Sequence, residues 1–310
     1  MDLLPYIYIS MPTNKLKNQI HLHFIVFIWG FTAILGALIS IQAIPLVWFR
    51  VMLASAVLFI FLKIRKIEFN EKGSDLLKLL FGGVLVAVHW VTFFYAIKIS
   101  TISTTLITMS SSAFFVVLIK PFFERKKFEL YELFLAVVAI AGFVIIFRSE
   151  TIYAKGIVIA LISSFLVALF SVYNSKLIKS YRGSKIAFYE LFFAFLFLTL
   201  ILLIKGDFSG SFFLLKSSDW IYLLILASVC TAYPFVVATN LLKKMSPFTI
   251  VLTNNLEPVY GMILALIIFG EKERMSMEFY LGAMVIFSCV LINGFIKSRS
   301  FKGSIRTKDQ

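Results

Sequence analysis

The sequence predicts an all-α integral membrane protein, with ten transmembrane helices arranged as two inverted five-helix repeats. Three observations predict it. Apolar runs of about twenty residues, the length that crosses a ~30 Å hydrocarbon core, recur along nearly all 310 residues. The composition is 60% hydrophobic and only 15% charged, with a mean hydropathy of +0.95, more apolar surface than a water-soluble domain of this length can hide. The chain also repeats weakly at an offset of about 140–147 residues. In lipid every backbone polar group must be satisfied within the protein, which selects helices for these runs.

Taken in order, the expected spans are residues 20–39, 44–62, 76–97, 102–122, 130–147, 154–176, 186–204, 220–242, 247–269 and 279–296. Spans four and six carry several Ser and Thr, which makes them the least apolar. The longest loops, 63–75 and 205–219, are too short for a soluble domain. Residues 2–10 are apolar but too short to span, and lack the basic flank and cleavage site of a secretory signal. Met1 and Met11 are both candidate starts. Residues 1–19 and 298–310 are expected as short cytoplasmic tails.

Orientation follows from Lys and Arg, which concentrate on the cytoplasmic side. With the N-terminus inside, 21 of them fall on inner segments and 7 on outer ones, while Arg50 and Lys78 lie within spans. Both termini are therefore expected in the cytoplasm. The net charge of +14 is explained by inner loops facing anionic lipid. A nucleic-acid partner would need a basic face on a soluble domain, so none is expected.

The repeat is visible in particular residues. Span two carries Trp48-Phe49-Arg50 and span seven Phe188-Tyr189-Glu190, each an aromatic pair followed by one ionisable residue. Span four ends Pro121-Phe122-Phe123-Glu124-Arg125, and span nine ends Ile268-Phe269-Gly270-Glu271-Lys272. Each unit holds five spans, an odd number, so the second unit is inverted. The units expected are 20–147 and 154–297. Inverted repeats of this kind place a solute site near the midplane between them.

Polar residues inside spans mark candidate chemistry. Glu257 falls about ten residues into span nine, ~15 Å deep by the helical rise. Pro258 beside it removes a backbone donor, which bends the helix and frees the carbonyl near Asn254, and Thr253, Asn254 and Asn255 make this the most polar stretch of any span. Intramembrane carboxylates are costly and usually face a cavity; a carboxyl bonded to a neighbouring helix is the bland alternative. In span four, Ser111 and Ser112 reach a similar depth, where they either line a site or glue helices together. Thr231, beside the hinge candidate Pro234 in span eight, is also near the midplane. Trp29, Trp90 and Tyr260 offer apolar contacts. His89 is a candidate proton relay, since histidine is the side chain whose ordinary charge change falls between pH 5 and 8, or else a helix-to-helix hydrogen bond. Arg50 and Glu190 are expected too far apart to pair, each at one end of a cavity as a vestibule residue. Arg50 there would attract a carboxylate or phosphate, or snorkel to headgroups. His89 stands alone in a span interior, so no metal site is expected. Cys230 and Cys289 read as small buried hydrophobes.

These residues resemble a family. The string Asn255-Leu256-Glu257-Pro258-Val259-Tyr260-Gly261, followed by Phe269-Gly270-Glu271, is similar to the ninth helix of EamA-type proteins of the drug/metabolite transporter superfamily. Trp29-Gly30 resembles their first-helix motif. Span four is a degenerate copy, with Ser111-Ser112 where the family often has proline. The elements Gly82-Gly83, His89-Trp90 and Ala96-Ile97-Lys98 resemble one bacterial branch. The resemblance covers about residues 24 to 296. It implies ten helices in two EamA repeats and transport of a small organic solute, often outward. It does not imply a particular solute, because this superfamily carries amino acids, other metabolites, drugs and nucleotide sugars.

The expected function is a secondary carrier or facilitator of small metabolites, amino-acid-like solutes among them, working as an exporter in a bacterial inner membrane. The expected partners are that solute and membrane lipid. Proton coupling through Glu257 or His89, and a homodimer, remain open. No cofactor is expected. Enzymatic signatures are missing from the sequence: it has no Walker A, HExxH or GxSxG pattern. The alternatives are translocation of a lipid-linked headgroup, for which only Arg50 hints at a basic groove, and a non-transporting scaffold or sensor.

Overall fold

The computed structural model describes residues 13–124, 130–245, 250 and 253–306. The start candidates and the basic segment 125–127 lie outside the described residues, as does part of span nine at 247–249 and 251–252. The described elements are helices α1 (Thr13–Leu38), α2 (Ala43–Ile64), α3 (Ser74–Ile99), α4 (Ile102–Met109), α5 (Ser112–Glu124) and α6 (Leu130–Ser149). They continue with α7 (Ala154–Leu177), α8 (Gly183–Lys205), α9 (Ser217–Ala227), α10 (Tyr233–Leu241), α11 (Glu257–Phe269) and α12 (Met277–Arg306). No strand occurs among the described residues. Among the described residues, seven segments are long and apolar enough to cross a membrane: Leu16–Leu38, Ala43–Ile64, Ser74–Ile99, Ile102–Phe123, Thr151–Leu177, Gly183–Lys205 and Ser217–Leu241. The protein is therefore a multi-pass membrane protein.

Helices expected to be continuous are interrupted in three places. The span-four region divides at Ser110–Ser111 into α4 and α5. The segment from α9 to α10 passes through a π turn at Ser228–Ala232, one residue before Pro234. The extra residue of the π turn lets the Thr231 hydroxyl donate to Leu226 O, 2.6 Å away. In the span-nine region a turn at Asn255–Leu256 precedes α11, which starts at Glu257 with Pro258 in its first turn. Proline is tolerated there, since its missing N–H is unpaired in any helix start. The break thus lies upstream of Pro258. Pro258 and Pro234 open new helical segments rather than bending a continuous one.

Packing separates two groups of helices. α3 lies against α7 and α8, α2 against α8, and α1 and α4 against α11. α6 and α12 pack chiefly on each other. Gly142 and Gly282 allow that close crossing, because a Cβ on Gly142 would come within 3.0 Å of Gly282 O.

The connections are tied at both ends of the bundle. At one end Asp219 accepts from Ser40 N (2.9 Å) and Oγ (2.6 Å). There too Glu273 accepts from the backbone N–H groups of Ile102 (3.0 Å) and Ser103 (2.9 Å), filling orphan donors at the α4 N-terminus. At the other end Lys185 Nζ pairs with Glu71 (2.6 Å) and donates to Asn70 Oδ1 (2.8 Å). Burial is the largest single influence and would raise the Glu71 carboxyl, but the hydrogen bonds it accepts, that from Lys185 first, and the Lys185 charge together outweigh burial and hold the group below its ordinary value.

Candidate functional site

The interrupted helices surround a cavity of about 180 Å³, room for about six waters at ~30 Å³ each. Its wall is drawn from α1 (Trp29, Thr32), α2 (Arg50), α3 (Val86, His89, Trp90, Phe93), α4 to α5 (Leu106, Met109, Ser110, Ser112) and α7 (Val167, Phe170, Ser171, Asn174). It is completed by Cys230, Thr231, Phe235, Ala238, Thr239 and Leu242, by Ile250, and by Asn254, Asn255, Glu257 and Pro258. Five aromatic side chains, Trp29, Trp90, Phe93, Phe170 and Phe235, share the boundary with aliphatic residues and with polar groups that converge inside it, the usual composition of a small-solute site.

Arg50 is only 1% exposed. Its Nε donates to Thr231 Oγ1 at 2.7 Å, the hydroxyl that the π turn presents. The guanidinium lies 3.8 Å from the centroid of Trp90 and 5.3 Å from that of Phe94. Stacking on aromatic faces suits its planar, weakly hydrated cation. Nη1 remains without a partner. Glu257 lines the same cavity, and no ion pair within 4.0 Å joins it to Arg50 among the described residues. Buried polar atoms are nearly always bonded, yet six lining residues carry an atom with no partner among the described residues. They are Thr32 Oγ1, Arg50 Nη1, Ser110 Oγ, Asn174 Oδ1, Asn254 Oδ1 and Asn255 Nδ2.

Of the residues singled out from the sequence, Glu257, Asn254, His89, Trp90, Trp29, Ser112, Thr231 and Pro258 line this cavity. Four do not. Ser111 is turned away, bonded to Thr108 O (2.7 Å) and Ser164 Oγ (2.7 Å). Tyr260 packs on Phe27, ring centroids 5.5 Å apart, at 81°. Pro234 is buried outside the lining set. Glu190 is fully buried behind the wall, where Asn174 Nδ2 donates to its Oε2 at 3.1 Å. Arg50 also departs from expectation. It stands in the same cavity as Glu257 and not in a separate vestibule, because Thr231 and Trp90 hold its head inward. His89 reaches the cavity with Nδ1 occupied, 3.0 Å from Ser163 O and 2.9 Å from Ser163 Oγ. Among the described residues no cluster suited to a metal ion occurs.

Sequence reasoning missed Thr32 and Asn174, while Ser110 and Asn255 belong to the polar runs of spans four and nine that the sequence marks. Thr32 was legible from Trp29, since i and i+3 share a helix face. Asn174 carried a weaker signal, a lone amide near the end of an apolar run.

A family model described as "EamA-like transporter family" matches residues 20–148 and again 154–295. The chain belongs to the EamA-like transporter family. That family membership makes it a membrane transporter with a small-molecule substrate. Among curated proteins, an uncharacterized transporter of Clostridium kluyveri is similar, at 22% identity over 252 residues, covering 78% of this chain and 79% of the relative. A solved crystal structure of a protein, 14% identical, covers 90% of this chain and 96% of its own with a TM-score of 0.64. That likeness concerns the fold alone.

Proposed function

We propose that this EamA-family chain is a secondary carrier or facilitator that exports small, amino-acid-like metabolites from a bacterial cell. The observation that carries it is the convergence of unpartnered polar atoms with Arg50 and Glu257 in one small, aromatic cavity. Arg50 Nη1 suits a carboxylate on the solute. Glu257, at the start of α11, suits a cationic group. A solute bearing both satisfies both walls at once, and 180 Å³ limits it to a small molecule. Trp29, Trp90, Phe170 and Phe235 would hold its apolar part.

The same reading takes the chain as ten spans in two inverted repeats, 20–147 and 154–297, with both termini in the cytoplasm. It is supported by two interruptions at matching places, Ser110–Ser111 in the first repeat and Asn255–Leu256 in the second. Broken helices at mid-depth are how such carriers expose backbone and side-chain polar groups to a solute. The 21 to 7 bias of Lys and Arg supports the orientation. Reporter fusions after Lys66, Lys127 and Arg182 should report cytoplasm, and fusions near Ile41, Tyr153 and Ser211 the far side.

The functional test is reconstitution into liposomes loaded in turn with zwitterionic amino acids, organic anions and organic cations. A small zwitterion should leave faster than from protein-free vesicles. Leakage at the protein-free rate for all three classes would overturn the reading.

A further inference from the structure

A second carboxyl lies beyond the cavity wall and touches it through one amide. Glu190 on α8 is 0% exposed. Its Oε2 accepts from Asn174 Nδ2, and its Oε1 has no partner. Asn174 lines the cavity, and its Oδ1 is unpartnered. The space for the carboxyl is made by α3: a Cβ on Gly82 would overlap Oε1, and one on Gly83 would lie 2.7 Å from Glu190 O. Two adjacent glycines thus admit a buried acid that an apolar side chain would have replaced at less cost.

Among the described residues, no cation pairs with it. α3 brings Lys78, whose Nζ is bonded to Asp75, and His89, held by Ser163. α7 brings Tyr173, which donates to Lys78 O at 3.0 Å, and Lys176, whose Nζ lies over Phe123. α2 brings Arg50, held by Thr231, and Lys63 at its far end. α10 brings Tyr233, whose hydroxyl meets His21 at 2.6 Å.

We propose that Glu190 is a proton-binding site read into the solute cavity by the side-chain amide of Asn174. The inference rests on the reading of that cavity as the solute site. The ionised carboxylate only accepts, so it takes the amide N–H and turns Oδ1 toward the solute. When a proton from water adds to a carboxylate oxygen, the resulting O–H donates to Oδ1. The amide then rotates and shows its NH2 to the cavity. Proton binding therefore exchanges an acceptor for a donor in the wall. The ligand is the proton itself, and solute affinity on each side of the membrane follows the local pH.

Infrared difference spectroscopy of the full-length protein in liposomes, stepped through pH without added solute, tests this. The expected result is a carboxylic C=O band that titrates in the parent, is lost in Glu190→Gln and persists in Glu257→Gln. In Asn174→Ala the band should remain but move in frequency and midpoint. Absence of a titrating band, its survival in Glu190→Gln, or an unmoved band in Asn174→Ala would overturn the proposal. Glu190→Gln and Asn174→Ala are read independently, so misfolding of one leaves the other decisive. Because no transported solute is needed, failure here is distinct from failure of the transport reading.

Discussion

The matching breaks at Ser110–Ser111 and Asn255–Leu256 differ in how their freed polar groups are satisfied. At the Ser110–Ser111 break, Ser111 Oγ donates to Thr108 O and pairs with Ser164 Oγ, both at 2.7 Å, and Ser164 Oγ reaches Met109 O at 3.2 Å. Ser110 Oγ alone is left without a partner. At the Asn255–Leu256 break, Asn254 Oδ1 and Asn255 Nδ2 are both unpartnered, and Glu257 follows at once. One break is stitched by hydroxyls to its neighbour α7; the other leaves its hydrogen-bonding capacity to whatever occupies the cavity. An unmade buried hydrogen bond costs ~1–3 kcal/mol, and a bound polar solute can supply it. On the proposed reading, the first break is mainly structural and the second mainly serves recognition.

Glu257→Gln should break the comparison most strongly. It keeps size and hydrogen bonding but removes the charge. Transport in proteoliposomes should fall at least ~100-fold, equivalent to ~2.7 kcal/mol, with membrane insertion unchanged by protease protection. Arg50→Lys comes next. A lysine keeps the charge but loses the planar stack on Trp90 and the forked donors, so the KM should rise about tenfold, ~1.4 kcal/mol. Pro258→Ala should slow turnover about threefold with KM little changed, because the restart of α11 loses its preset φ.

Much of this comparison was legible in the sequence. Glu257, Pro258 and Asn254 stand out in an apolar run, and a costly group in lipid has few reasons to be there. Trp29 and Trp90 stand out for lying away from the interfacial belt. Ser111 was not separable from Ser112 by any sequence signal. Adjacent helical residues point about 100° apart, and only the packing of α7 decides which faces Ser164. Arg50 and Glu190 were placed by depth along the membrane normal, which is blind to rotation about each helix. That rotation puts one in the wall and the other behind it.

Smaller effects sharpen the contrast. Ser111→Ala should lower stability by about 1 kcal/mol, read as a shift in thermal unfolding, while transport stays near the parental rate. A large transport loss there would erase the distinction between the breaks. Glu71→Gln at the lysine-bearing end should show a pH signature. The Glu71 carboxyl sits below its ordinary value in the fold, so its contribution is present above that ordinary value and lost as pH falls through the lowered one. The unfolding temperatures of parent and Glu71→Gln should therefore differ at neutral pH and converge in acid.

The cavity as solute site is tested most directly at Cys230. This thiol lines the cavity, while Cys289 is buried in the separate core that α12 shares with α6. In a Cys289→Ser background, Cys230 should react slowly with a small methanethiosulfonate reagent. A solute that the liposome assay shows to be transported should slow that reaction further, in proportion to its occupancy. Labelling of Cys230 that is indifferent to saturating transported solute would contradict the assignment of this cavity as the transport site.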